Sequence, residues 1–322
     1  MTDSPSVTKN SVLATVPPIG ARLGLAALDR ILADHRAWLE GNPGGRRASL
    51  NGIALAEAAL DKVNLERADL TSANFIDARM SGANLNGAKL NFADLSSATL
   101  IDADLLQAEL ADTRLESALL AGANLSEAQL LRACLRRANL RQGNLIEARM
   151  ERCDLSGAIL RDARLLQAKV FDCNFTDAEL EGANLYHSVF RCCQLPGLSA
   201  AGSNWSAATV KNCEFRRADL TSARFDQADL RQSSFWKATI NGSSFQNAHL
   251  SGADLEGADL TGARFHNAAT MSADLRGANL RAAQGLTQTQ LGQARTDRYT
   301  ILPDGSHGPF LLGSGAHRPG RH

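Results

Sequence analysis

The 322-residue chain carries 34 Lys and Arg against 34 Asp and Glu, so its formal net charge is zero. That balance excludes gross attraction to nucleic acid or to an anionic membrane surface. No apolar run approaches the ~18 residues of a membrane span, and the N-terminus has neither the basic start nor the apolar core of a signal peptide, so a cytoplasmic protein is expected.

Residues 1–19 are polar, contain Pro17-Pro18, and are expected to be flexible. The pattern then becomes helical: Leu23, Leu25, Leu28, Ile31, Leu32, His35, Trp38 and Leu39 fall on one stripe. Gly41-Asn42-Pro43-Gly44-Gly45 ends this helix. Residues 20–45 are therefore read as an N-terminal amphipathic cap, with a partner-binding helix as the rival. His35 and Trp38 read as packing residues rather than ligands.

From Leu50 to Leu280 an apolar residue stands at every fifth position, and only Ala200 and Thr270 miss among about forty-seven. Two residues before most of them sits a small residue, as at Ala68, Ala73, Ala78 and Ala83. A period of five fits neither a helix nor a single strand. It requires a solenoid with a short turn and a core one side chain wide. Units such as Ala123-Asn124-Leu125-Ser126-Glu127 and Ala253-Asp254-Leu255-Glu256-Gly257 resemble the pentapeptide-repeat family, A(D/N)LXX, over residues 46–284. The resemblance implies an all-β solenoid: a right-handed four-sided parallel β-helix of about eleven to twelve coils. Five residues would form a side and twenty a coil.

Beyond Leu280 the repeat stops. Thr287-Gln288-Thr289-Gln290 has the form of a capping box and predicts a short helix to about Ala294. Residues 285–304 are read as a C-terminal cap and residues 305–322, rich in Gly, Pro and His, as a disordered tail. His317 and His322 read as tail residues, not a metal site.

Within the expected coil, residues twenty apart stack. Trp205, Phe225, Phe245 and Phe265 should form one aromatic column. Cys153, Cys173, Cys193 and Cys213 should form another at the small inward position. Parallel in-register side chains point poorly for disulfides, and a single file makes no tetrahedral metal site. Core filling is the expected role. Cys134 and Cys192 fall outward, where reaction is easier. At Leu195-Pro196-Gly197-Leu198-Ser199-Ala200 the size order reverses, which reads as a strained turn before it reads as a site.

Any partner must read the outward residues. Asp94, Asp102, Asp104, Glu109, Asp112 and Glu116 form an acidic belt opposed by Arg114. The following coils are basic, and Arg132, Arg149, Arg152, Lys169, Arg191, Lys211 and Arg231 fall on one side. Asp112, Arg132, Arg152 and Asp172 stack in one column, which would pair unlike charges at both ends. The bland reading is a solvated face with weak ladder ion pairs; the sharp one is a patch for phosphate or an acidic protein surface. Leu106, Ile146, Leu166 and Tyr186 form an outward apolar column interrupted by Ser126, a candidate partner or dimer contact.

No Gly-rich phosphate loop, His-Glu-x-x-His or Cys-x-x-Cys occurs. The expectation is a protein–protein interaction scaffold without catalysis, cofactor or metal, its protein partner unidentified, and a homodimer possible. Family members of the Qnr and MfpA kind resemble duplex DNA and act on DNA gyrase, so the resemblance offers a gyrase-directed DNA mimic as an alternative. Those proteins are acidic throughout, whereas this chain is neutral with a basic middle. Nucleic-acid or anion binding through the basic face is the third reading.

Overall fold

The computed structural model describes residues 23–319. The expected flexible N-terminus, and His322, lie outside the described residues. Why five residues make one side follows from where each N–H goes. In the unit Ala73–Asp77, the Ala73 N–H closes a turn on the Leu70 carbonyl at 3.1 Å. The Asn74 N–H donates back to Ile53 at 2.9 Å, and those of Phe75 and Asp77 donate forward to Asp94 at 2.7 Å and Ser96 at 3.1 Å. The Ile76 N–H is taken by the Asn74 side-chain Oδ1 at 3.0 Å. All five donors are satisfied, three of them by neighbouring coils. The preference for Asn or Asp before the central apolar residue thus has a cause: its side chain accepts the one N–H that no backbone carbonyl reaches.

Parallel bridges join residues twenty apart from Ser49↔Asp69 to Arg264↔Gln284. Four five-residue sides therefore make each coil. The central Leu, Phe or Met and the small residue two before it are buried from Leu65 to Leu280, while Ala58 and Val63 in the first coil are half-buried. Each large one contributes ~1.5–3 kcal/mol of transfer free energy. At the corners the second turn residue has a left-handed backbone, as at Asp77 (φ 57°) and Gly82 (φ 63°), while the first does not. With the i+3→i hydrogen bond this is a type II turn.

That turn type corrects one expectation. Pro196-Gly197 reads in sequence as strain, but Pro first and Gly second is the favoured pairing for a type II corner. Gly197 has φ 67°, and the Leu198 N–H still reaches the Leu195 carbonyl at 3.3 Å. Leu198 and Ala200 are both fully buried, so the exchanged sizes keep the core filled.

The aromatic column forms as expected. Trp205, Phe225, Phe245 and Phe265 stack at centroid separations of 6.0, 5.3 and 5.2 Å, with interplanar angles of 20°, 4° and 14°. A second stack, Phe215 on Phe235 at 4.9 Å, meets the first edge-on. The Trp205 indole N–H donates to Ser203 Oγ at 2.8 Å, which itself donates to the Ala200 carbonyl at 2.6 Å, so the largest core side chain leaves no polar atom stranded.

Both ends are covered. Helix α1, Leu25–Leu39, lays Leu28, Ile31, Leu32 and His35 against the first coil. It stops in a Schellman motif: Gly41 has φ 73°, its N–H reaches the Trp38 carbonyl at 3.1 Å, and the Asn42 N–H reaches Ala37 at 2.8 Å. His35 is fully buried, and its Nδ1 accepts the Ala48 N–H at 3.1 Å, tying helix to first coil. At the other end α2, Gln288–Gln293, carries the predicted capping box between Thr287 and Gln290. Gln290 Nε2 donates to the carbonyls of Phe265 and Ala268 at 3.1 and 2.8 Å. Thr270, which breaks the apolar series, donates its hydroxyl to the Gln290 carbonyl at 2.8 Å and so fastens the cap. Residues 305–319, expected to be disordered, are placed as successive turns against this cap. His307 pairs with Ile301, Phe310 packs on the core, and Ala316 is buried.

Two outcomes follow. Phe225→Ala removes a ring held between two others and should cost about 3–5 kcal/mol in urea unfolding. Burial lowers the His35 pKa from 6.5, and the nearby Arg47 lowers it further, against an upward pull from Glu66. A lowered folded-state pKa means the contribution is present above 6.5 and lost as pH falls through the folded value. Amide protection factors in α1, which are referenced to intrinsic exchange at each pH, should therefore fall selectively between pH 7.5 and about 5, and equal protection at both would contradict this.

Candidate interaction surface

One side of the coil departs from the common geometry. On it the first corner residue joins the ladder, giving five short parallel strands: β1 Gln129–Leu131, β2 Arg149–Glu151, β3 Lys169–Phe171, β4 Val189–Arg191 and β5 Thr209–Lys211, in the order β1-β2-β3-β4-β5. The residues that would close the turn on this side are Ala133, Cys153, Cys173, Cys193 and Cys213. A thiol is larger than a methyl group, and it can bond the backbone groups that the opened turn releases. Cys153 Sγ donates to the Leu130 carbonyl at 2.9 Å, and the Cys153 N–H donates to Cys173 Sγ at 3.3 Å. Ser233 does the same one coil beyond β5: it donates to Val210 at 3.0 Å and accepts the Cys213 N–H at 3.1 Å. All six cysteines are free, with Cys134 half-buried and Cys192 exposed. The hydrogen bond with Cys153, together with burial, raises the Cys173 thiol far above the ordinary range; its counterpart with Cys193 does the same for Cys213. These two thiols stay protonated structural groups.

The basic residues gather on this sheet side. Arg149 and Lys169 are direct ladder partners, as are Arg191 and Lys211. Arg132 and Arg152 occupy the second corner position beside β1 and β2, and Arg231 lies one coil beyond β5. Their neutralisation is uneven. Arg132 makes a bidentate pair with Asp112 at 2.7 and 2.5 Å, which holds the Asp112 carboxyl below its usual range. Arg149 approaches Glu151 at 3.4 Å. Lys211 and Arg231 share Asp229 at 2.7 and 2.8 Å. Against the upward push of burial, these two cations keep that carboxyl well below the usual range. The expected column of unlike charges forms only at its lower end: Asp172 makes no ion pair with Arg152. Among the described residues, Arg152, Lys169 and Arg191 have no carboxylate within 4.0 Å.

The apolar column borders the same side. Leu106, Ile146, Leu166 and Tyr186 occupy the corner that leads into the sheet; Tyr186 lies three residues before Val189 of β4. Leu106, Ile146 and Leu166 are half-buried, and Tyr186 is 42 % exposed with its ring edge-on to His187 at 4.3 Å. The stripe is narrower than its sequence suggests, because stacked corner residues cover one another.

Sequence reasoning missed Phe92. It stands at the second corner position on the sheet side, with φ 62° and 60 % exposure. A bulky left-handed residue is an outlier. Here it forms one wall of a shallow groove of about 490 Å³ with Leu131, Asp112–Arg132 and Arg149–Glu151. The available signal was a large apolar side chain in a corner slot that no other large apolar residue occupies.

The fold and its corner geometry define a parallel β-solenoid built of five-residue sides. Family models agree: pentapeptide repeats in eight copies match residues 48–87, 78–116, 88–126, 103–142, 133–169 and 171–204, and a pentapeptide repeat region matches residues 208–284. The chain belongs to the pentapeptide-repeat family. Among solved structures it is similar to HetL of the cyanobacterium Nostoc sp. strain PCC 7120, a pentapeptide repeat protein involved in heterocyst differentiation regulation. Identity is 27 %, coverage 89 % of this chain and 100 % of that one, and TM-score 0.29. A thylakoid-lumen pentapeptide repeat protein of Arabidopsis thaliana is 29 % identical over 29 % of this chain and 66 % of its own, with TM-score 0.29. Trypsin-treated QnrB1, a plasmid-mediated fluoroquinolone resistance protein, is 19 % identical over 69 % and 88 %, with TM-score 0.22. Scores this low carry no information about what this chain does. No curated protein matches it. No helix among the described residues is long and apolar enough to cross a membrane.

Phe92 supplies a test of corner strain. A non-Gly residue in the left-handed region costs ~1–2 kcal/mol, and a new Gly gives back ~0.5–1 kcal/mol through unfolded-state entropy. Phe92→Gly should therefore raise stability by about 0.5–1 kcal/mol in urea unfolding. A loss of stability would show that the ring packs usefully where it stands.

Proposed function

We propose that the rod is a non-catalytic scaffold that binds a protein partner through its sheet side. The observation that carries this reading is the set Arg152, Lys169 and Arg191, which stand at the corner beside β2 and on β3 and β4 without carboxylate partners while Arg132, Arg149, Lys211 and Arg231 near them are paired. Unpaired cations on a stiff surface favour an acidic counterpart and speed its approach. The apolar column through Ile146, Leu166 and Tyr186 gives the same surface a part that can be dried on contact. The grooves at Phe92 and elsewhere are open to solvent, which suits docking better than chemistry.

A DNA-mimicking rod needs a continuous excess of carboxylates. Formal neutrality and three unpaired cations on one side weigh against that alternative.

The test is capture from native lysate by immobilised protein and by the triple variant Arg152→Glu, Lys169→Glu, Arg191→Glu. These side chains point outward, so the variant keeps its core. One acidic partner held by the parent and bound at least tenfold more weakly by the variant is expected. Equal capture by both removes the sheet side from the interaction. Gyrase subunits held by both would establish the mimic instead. Nucleic acid released steeply by salt would establish the third reading.

A further inference from the structure

The arginines at the corners of this rod are commonly neutralised by a carboxylate one coil away. Arg132 has Asp112, Arg136 has Glu116, and Arg276 has Glu256. Arg216 and Arg217, like Arg152 and Arg191, lack that partner, and here the lack falls on two adjacent residues. One coil before Arg216 and Arg217 stand Pro196 and Gly197; one coil after them stand Trp236 and Lys237. The acid in the following coil, Glu256, is taken by Arg276 at 3.2 Å.

The result is three cations around one indole. Lys237 Nζ lies 4.2 Å from the Trp236 ring centroid, Arg216 Cζ 4.9 Å and Arg217 Cζ 5.6 Å. None of the three has a carboxylate within 4.0 Å among the described residues. The aromatic quadrupole offsets their mutual repulsion only in part. The side chains gathered at the ring bring two guanidinium forks and an ammonium, all hydrogen-bond donors. Half-buried Trp236 fixes the platform, and Pro196-Gly197 forms a rigid edge beside it.

We propose that this corner binds a single phosphate monoester, its oxygens held by Arg216, Arg217 and Lys237 beside Trp236. A phosphate dianion matches two planar forks and a point charge, which is the usual geometry of phosphate recognition. The adjoining groove, about 670 Å³, also carries Asp177 and Glu214. Asp177 is folded over Gly197, its Oδ1 occupying the space a Cβ would need. These carboxylates repel a polyanion laid along the groove and leave room for one phosphate at its basic end. The site lies one corner round from the sheet side and does not depend on the protein-binding reading.

The test follows the indole N–H resonances of the 322-residue chain, which has three tryptophans. Trp205 is fully buried in the core and Trp38 lies on α1, so Trp236→Phe identifies the reporting signal. Inorganic phosphate and phenyl phosphate are titrated at ionic strength held constant with sodium chloride. A saturable shift of the Trp236 signal alone is expected with both probes, and at least tenfold weaker binding in Arg216→Gln, Arg217→Gln. Tighter binding of the phenyl ester assigns the site to an organic phosphate, and equal binding assigns it to the phosphate group by itself. Linear, unsaturated shifts, an identical response in the double variant, or an oligonucleotide bound more tightly than the single phosphates would each overturn the proposal.

Discussion

Everything in this rod rests on one constraint: each five-residue side must dispose of five backbone N–H groups with its neighbours only one coil away. In a unit such as Ala73–Asp77 three go to adjacent coils, one closes the corner, and one is taken by the Asn74 side chain. Exact repetition every twenty residues is the consequence, since a slip of one residue would turn Leu outward and leave N–H groups without acceptors. The left-handed corner is the concession. It places residues as unsuited as Phe92 and Arg132 at positive φ, because the ladder gained exceeds the strain of any single corner.

The core obeys a second, softer constraint. A lumen one side chain wide tolerates exchange of size between slots provided the sum is kept. Leu198 and Ala200 exchange roles without exposing either, and Ser203 lets Trp205 enter without an orphaned indole. The cysteine column belongs to the same logic. Its thiols substitute for a corner hydrogen bond, and the corner that opens becomes the sheet on which the basic residues stand.

Surface chemistry is decided coil against coil. Arg132 and Arg152 are the same residue in the same slot, one coil apart, yet one is clamped by Asp112 and the other has no carboxylate partner. Arg136 has a glutamate one coil before it, whereas Arg216 has Pro196 in that place and the Trp236 indole one coil after it. A solenoid thus holds its fold constant and varies side-chain partners column by column, and both surfaces proposed for binding fall where neutralisation fails.

The apolar phase, the stacking of residues twenty apart, the helix stop at Gly41 and the capping box at Thr287 could all be read from residue order. Each rests on a local rule of period, turn or cap that needs no knowledge of neighbours. The same residues could not tell that Thr270 fastens a cap, that Pro196-Gly197 is an ideal corner, or that residues 305–319 fold back on the last coils. Those depend on which backbone group stands opposite. Nor could sequence show which arginines are spent on ion pairs. Long side chains reach several columns, and the choice among acceptors is settled only when the coils are stacked.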